Sequence, residues 1–254
     1  MTEWEAISKR ISCRSYEDRM IDGEVLENIR RHIEVINDTS GLNFQLLCAG
    51  EPGISAVKVA KTMFSGPIYA CAALVGRNDN LSAEKVGMYG ESLVLYATKL
   101  GLGTCWVAGT YDANSISPKV EEGEKVWSVI TLGYATEKTP LRQKMIRAGI
   151  RKSDRRLEQF LESETAYEEL PAWVQKGIEA ILLGPSAVNR QPVNIVYSDG
   201  NVCARLRRTD YELVYVDLGI AKKQFMAAAC DQGVDGTFEW GDGGRFIQLV
   251  GNLE

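Results

Sequence analysis

The order of secondary-structure signals runs through this 254-residue chain twice, and that repetition constrains its fold more than any single motif. In the first pass, Val25, Leu26, Ile29 and Ile33 at three- and four-residue spacing predict a helix over about Gly23 to Val35, ending near Asn37-Asp38. Phe44 to Ala49 and Ile68 to Val75 read as strands, the second continuous enough to be central, with a Gly/Pro turn and a basic helix between them. A long helix follows, with Ser82 as its candidate cap, a stripe of Val86, Gly90, Leu93, Val94, Ala97 and Leu100, and a stop at Gly101 and Gly103. Val126 to Leu132 is a further strand, and the charged, helix-prone stretch from Gln143 to Leu170 is the candidate linker.

After Pro171 the order repeats. A helix carrying Val174, Ile178, Ile181 and Leu182 stops at Gly184-Pro185, and Val193 to Tyr197 pairs with the run from Val202 across an Asp199-Gly200 turn. Asp217 is placed to cap the next helix, whose stripe is Leu218, Ala221, Phe225 and Ala228; Phe246 to Val250 closes the chain as a strand. Three local matches share this order: Asn43-x-Gln45 with Asn189-x-Gln191, the helix and stop from Tyr89-Gly90 to Gly103-Thr104 with Leu218-Gly219 to Gly236-Thr237, and Leu132-Gly133 with Val250-Gly251. The expectation is an α+β protein of two related α/β halves, residues 1–160 and a shorter 161–254, with central helices packed between antiparallel-containing sheets.

Composition narrows the chemistry. A formal charge of −5 argues against nucleic acid as a partner, and the one basic run, Arg142 to Arg156, has only Phe160 as a neighbouring aromatic. No apolar stretch is long enough for a membrane helix, and the acidic N-terminus is unlike a signal peptide, which gives a cytoplasmic expectation. The six cysteines are scattered, with no C-x-x-C spacing for a metal, and read as buried, reduced thiols. His32 is the only histidine and reads as a solvated helix residue, so histidine-dependent nucleophile mechanisms have at most one base. Redox chemistry here would have to come from a bound cofactor, with no catalytic side chain of its own.

Arg10-x-Ser12-x-Arg14-x-Tyr16 puts two guanidiniums and a hydroxyl on alternating residues, one side of an extended segment, which suits a phosphate. Read alone, it is better taken as a solvated basic segment before the first helix. The run from Gly184 to Pro192 adds Ser186, Asn189 and Gln191 to the Gly and Pro that a helix-to-strand loop needs, and these side chains suit the polar edge of a flat ligand. The glycines of Gly101-Leu102-Gly103-Thr104-Cys105-Trp106 follow a helix instead of a strand, which excludes a dinucleotide-binding turn.

Together, R-x-S-x-R-x-Y at Arg10 to Tyr16, P-S-x-x-N-x-Q-P at Pro185 to Pro192 and G-L-G-x-x-W at Gly101 to Trp106 resemble the nitroreductase family of flavin enzymes over most of the chain. In that family two subunits build each flavin site, one bringing the arginine segment and the other the P-S-x-x-N loop. Here the first half has the arginines but only Thr39 to Gln45 where the loop should be, and the second half has the loop without the arginines. The sequence therefore looks like a fused dimer that kept one site, expected to be a monomer acting as a pseudo-dimer.

The resemblance implies FMN as cofactor. Arg10, Ser12 and Arg14 would hold its phosphate and ribityl end, joined by Arg151 and Lys152; Pro185, Ser186, Asn189 and Gln191 would lie near the ring's polar edge; and the backbone at Ala108-Gly109 would lie against the nitrogen that exchanges hydride. The implied activity is ping-pong hydride transfer from NAD(P)H to a small, planar, electron-poor acceptor such as a nitroaromatic or quinone. The rival readings are a flavin-binding sensor, a degenerate relative without catalysis, and an adaptor using the basic run.

Overall fold

The computed structural model describes residues 1–50, 64–109, 111–112, 115–136 and 155–249. It forms two compact units interleaved in sequence: a C-terminal unit of Met1–Ser8, Ala83–Glu91 and Lys152–Glu254, and an N-terminal unit of Lys9–Ser82 and Ser92–Arg151. Helix α1 (Glu3–Lys9) opens the chain.

In the N-terminal unit, α2 (Gly23–Ser40) buries Ile29, Ile33 and Ile36 along one stripe. It runs past the expected stop at Asn37-Asp38 because the Thr39 and Ser40 hydroxyls donate back to Val35 O at 2.7 Å and Ile36 O at 2.6 Å, and Gly41 (φ 70°) ends it with its N–H on Asn37 O. Asn37 instead stitches the helix to the next strand: its Nδ2 donates to Phe44 O, and its Oδ1 accepts the Phe44 N–H. Strands β1 (Asn43–Cys48), β2 (Ala70–Arg77), β3 (Gly103–Val107) and β4 (Glu124–Gly133) make an antiparallel sheet of order β1-β2-β4-β3. The continuous apolar run of β2 is central, as its sequence predicts, and all but its last residue is buried. His32 is half-buried and stacked on Tyr96 with ring centroids 4.2 Å apart, so it is not the solvated residue expected.

Helix α3 (Asn80–Lys99) is capped three residues before the expected position. Asp79 is the N-cap, its carboxylate accepting the Ser82 N–H at 2.7 Å, so Ser82 receives the cap instead of providing it.

The C-terminal unit contains α4 (Ala172–Leu183), the hairpin β6 (Val193–Ser198) and β7 (Asn201–Leu206), α5 (Val214–Asp231), and β8 (Gly236–Phe238) with β9 (Gly244–Gln248). Asp199 (φ 49°) and Gly200 (φ 78°) supply the two left-handed positions that the tight hairpin turn requires. The described part of the expected linker is no linker. Leu157–Phe160 is a 3-10 turn that drives Phe160 fully into the core with Ile178, Leu218 and Phe225, and β5 (Leu161–Glu162) pairs parallel with β6. Residues 143–154, the expected basic helix after β1, and Val250-Gly251 lie outside the described residues.

The second sheet has the order β5-β6-β7-β9-β8. Without β5 it is the order of the first, strand for strand, and in both passes the elements run helix, strand, strand, helix, strand, strand. Gly103-Thr104 and Gly236-Thr237 each open the strand after the long helix, as matched in sequence. Asn43-x-Gln45 and Asn189-x-Gln191 are not equivalent, since the first pair lies within β1 and the second precedes β6.

Within the C-terminal unit α3 and α5 cross at two glycines. A Cβ on Gly219 would stand 1.9 Å from Glu84 O, and one on Gly87 would stand 1.9 Å from Val216 O, a reciprocal contact that only hydrogen fits. The glycine paired with Gly219 is thus Gly87, one turn before the expected Gly90. Beside the crossing, buried Lys222 Nζ donates to Glu84 Oε1 (2.5 Å), Glu239 O and Gly241 O, while Glu84 Oε2 accepts the Gly241 N–H. Burial lowers the Lys222 ammonium pKa and the Glu84 charge opposes this. Cys13, Cys48, Cys71 and Cys105 are buried as expected, but Cys203 is half-buried and Cys230 exposed. Among the described residues no helix is long and apolar enough to cross a membrane.

Candidate functional site

The arginine segment lies in the N-terminal unit as an added extended strand. Ser12 bridges Thr104 of β3 in parallel, the Cys13 N–H donates to Thr104 O at 2.7 Å, and Ser65 N donates to Arg14 O while Ser65 O accepts the Tyr16 N–H. Cys13 and Ser15 are buried in this pairing, while Arg10, Ser12 and Arg14 between and before them are half-buried. Gly103 makes room for the segment, since a Cβ there would fall 2.8 Å from Cys13 Sγ. The glycines of the G-L-G run therefore serve the helix end and this close approach. Tyr16 faces inward as an anchor: its hydroxyl donates to Cys13 O and shares a 2.7 Å hydrogen bond with Thr131, and burial raises its pKa well above the phenol range. The Cys105 thiol behind the segment is pushed up to about 11 by burial, and the positive charges of Arg14 and Arg10 act against that shift.

Strand β3 also carries the second expected contact. Ala108 and Gly109 follow its last residue in an exposed turn, with Gly109 at φ 74°, and the Ser128 hydroxyl donates to Val107 O at the strand's end. Thr104 and Ala108 ride one strand, roughly 13 Å apart at about 3.3 Å per residue. Arg151 and Lys152 lie outside the described residues.

The Gly184 to Pro192 loop lies in the C-terminal unit, between α4 and β6. Val188 (φ 52°), Asn189 (φ 53°) and Gln191 (φ 44°) all hold left-handed backbone, three of the four non-glycine residues with positive φ among those described. Such backbone is unfavourable by about 1–2 kcal/mol for an L-residue, most of all for β-branched Val188, and persists only where surroundings enforce it. The Gln191 N–H donates to Ser186 Oγ at 2.9 Å, and Gln191 Nε2 donates to Leu182 O at 2.7 Å. Gln191 is 4% exposed, so its side chain braces the loop from beneath; Pro185, Ser186 and Asn189 are half-buried, and Val188 stands out at 73% exposure.

Two residues that sequence reasoning did not assign to the site hold the loop from either side. Arg155 Nη1 donates to Gln191 O at 2.6 Å and its Nη2 to Asn194 Oδ1 at 2.5 Å and to Gln159 O, with the guanidinium 3.5 Å from the centre of the Phe160 ring. Burial lowers its pKa to about 10. Asp217 is not a helix cap: α5 starts at Val214 after Leu213, and the carboxylate, 3% exposed, accepts the Ala187 N–H at 2.9 and 3.1 Å and the Tyr211 hydroxyl at 2.6 Å. Burial raises its pKa to about 6, against the pull of the Tyr211 hydroxyl, the Ala187 amide and Arg190. The Arg190 guanidinium lies 4.4 Å from the centre of the Tyr211 ring. In sequence, Arg155 was hidden in a run of basic residues, and Asp217 carried the signal of a cap.

The chemistry these groups offer is that of anion and amide recognition: fixed guanidiniums and a hydroxyl on one strand, exposed backbone at the end of β3, and a strained polar loop. Comparison with curated proteins gave no match. Among solved structures, a putative nitroreductase from Thermotoga maritima is similar over 98% of this chain and 94% of its own, at 24% identity and a TM-score of 0.63, which supports the fold. An FMN-dependent nitroreductase from Clostridium difficile R20291 overlaps 53% of this chain and 88% of its own, at 22% identity and a TM-score of 0.41. The family model described as "Putative TM nitroreductase" matches residues 3–229, a span that includes both sheets up to α5, the arginine segment and the strained loop, and the chain belongs to that nitroreductase family.

Proposed function

We propose that this chain is an FMN-dependent oxidoreductase that takes hydride from NAD(P)H and passes it to a small, planar, electron-poor acceptor. The observation that carries the reading is β3, which presents the phosphate-type donor set of Arg10, Ser12 and Arg14 beside Thr104 and an exposed backbone turn at Ala108-Gly109 just past its other end. A ribityl phosphate ending in a fused ring has the chemistry and the length for such a strand: an anion for two guanidiniums and an amide edge for backbone groups. Pro185, Ser186 and Asn189, with Gln191 bracing them, are assigned to the polar edge of the ring, and Arg151 and Lys152 to the phosphate; the sequence resemblance supports these assignments.

When bound, the flavin supplies the two-electron chemistry, and the protein's own groups bind, orient and shield it. Nicotinamide and acceptor use the same uncovered face in turn, so steady-state rates at several fixed acceptor concentrations should give parallel double-reciprocal lines. Intersecting lines would mean a ternary complex and contradict the shared face. Arg14→Ala should weaken FMN binding by about 1.5–3 kcal/mol, the worth of a charge-assisted hydrogen bond. Undiminished affinity would remove Arg14 from the site. The monomer expected of a fused pair is checked by light scattering.

A further inference from the structure

We propose that Asp217 is the positioning residue of the flavin loop: by accepting the Ala187 N–H it holds the Pro185 to Gln191 backbone in its left-handed shape, and it sets ligand affinity without touching the ligand. The proposal rests on the flavin reading above for its ligand and on the structure for its mechanics.

A loop with Val188, Asn189 and Gln191 at positive φ does not stay in place unaided, because each residue has a lower-energy conformation available. The two ends of the loop are tied by ordinary means, Gly184 to the last turn of α4 and Gln191 to Arg155 and Ser186. Its middle is tied by Asp217. Both carboxylate oxygens take the Ala187 N–H, and Oδ2 also takes the Tyr211 hydroxyl, so the acceptor is itself oriented by a neighbour. The Ala187 N–H is at the start of the short 3-10 turn that contains the strained residues, so holding it fixes the turn's entry. The charged and titratable groups around the carboxylate come from two segments: Arg190 from the loop, and Tyr211 from the connector before α5, with Arg208 and Asp210 paired beyond it. The recess beneath is mostly apolar, with Ile181, Val193, Ile220 and Ala221 in its lining beside the polar Ser186 and Gln191. A carboxylate buried there is unfavourable unless hydrogen-bonded, so removing the loop's N–H and removing the carboxylate should have linked effects.

The test uses the full-length protein and four forms: wild type, Asp217→Ala, Ala187→Pro and the double variant. Proline at 187 removes the donor and sets its ring carbon against the Asp217 carboxylate, which Asp217→Ala relieves in the double variant, while the backbone accepts it because Ser186 before it is already extended (φ −150°, ψ 162°) and the position opens a 3-10 turn. FMN dissociation constants come from quenching of flavin fluorescence, and hydrogen exchange at the Ala187 amide is read in flavin-free wild type and Asp217→Ala. The expected result is a loss of affinity of tenfold or more in each single variant, no further loss in the double variant, and faster exchange at Ala187 when Asp217 is removed. Additive losses in the double variant, or affinity unchanged in a folded Asp217→Ala protein, would overturn the proposal. If wild type itself fails to bind FMN, the flavin reading falls, and the exchange measurement alone decides the latch: unchanged Ala187 exchange refutes it.

Discussion

The two passes of helix, strand, strand, helix, strand and strand differ in chemistry where the first helix of each joins its strand. In the first, Gly41 and Leu42 suffice: one left-handed glycine closes α2 and β1 begins. In the second, the same junction is a loop from Gly184 to Pro192 with three strained residues and buried polar braces at Gln191 and Asp217. The first pass, in turn, is preceded by an arginine segment whose Ser12 bridges Thr104 of its edge strand. Strand order is the same in both, while the segments assigned above to the flavin fall one in each, which is the pattern the proposed fused pair with one retained site requires.

Three measurements can break or sharpen this comparison. The largest effect is expected at Lys222, whose ammonium is fully buried against Glu84 in α3. The long helix of the first pass has no such lysine at the matching place, which Gly90 occupies when the two helices are aligned on Gly87 and Gly219. Lys222→Ala leaves a buried carboxylate without its cation and should destabilise the fold by about 3–5 kcal/mol in denaturant titrations. A loss below about 1 kcal/mol would mean that the second pass does not depend on this pair.

A smaller effect should follow pH. Burial raises the Asp217 carboxyl to about 6 in the folded chain from its ordinary value of 3.8, so its contribution to stability is present below about pH 4 and lost as pH rises through about 6. The stability of wild type relative to Asp217→Asn should therefore fall by up to about 3 kcal/mol between pH 4 and pH 7. A pH-independent difference would contradict the burial of this carboxyl beneath the loop.

The helix crossing should give the smallest contrast of the three. Gly87→Ala and Gly219→Ala each press a methyl against a backbone carbonyl and should each lose about 1–3 kcal/mol, with the two losses alike because the contact is reciprocal. Thermal unfolding that separates them widely would show that the two helices do not play equivalent parts.

Much of the scaffold was legible in the sequence because apolar spacing and turn residues act locally. The continuous run of β2 foretold a central strand, and Asp199-Gly200 foretold the β6–β7 hairpin. What misled was any residue whose partner lies far along the chain. Asp217 has the composition of a cap and the position of a brace, and Arg155 reaches the carbonyl of Gln191 from a stretch that reads as a solvated linker. Gly87 and Gly90 are both small and a single turn apart, so choosing between them needed the carbonyl of Val216. The arginine segment was read as extended, and Ser12 does bridge Thr104 in that form, yet nothing local showed that Gly103 opens space for it.

The central claim is that two related halves keep one flavin site. It is tested most directly by reconstituting the purified chain with excess FMN, removing what is unbound, and measuring released flavin by absorbance against protein concentration. The account predicts one flavin per chain, lost when Arg14 is replaced by Ala. Two flavins per chain would mean that the first pass kept a site its short Gly41-Leu42 junction does not suggest, and none would contradict the proposed cofactor outright.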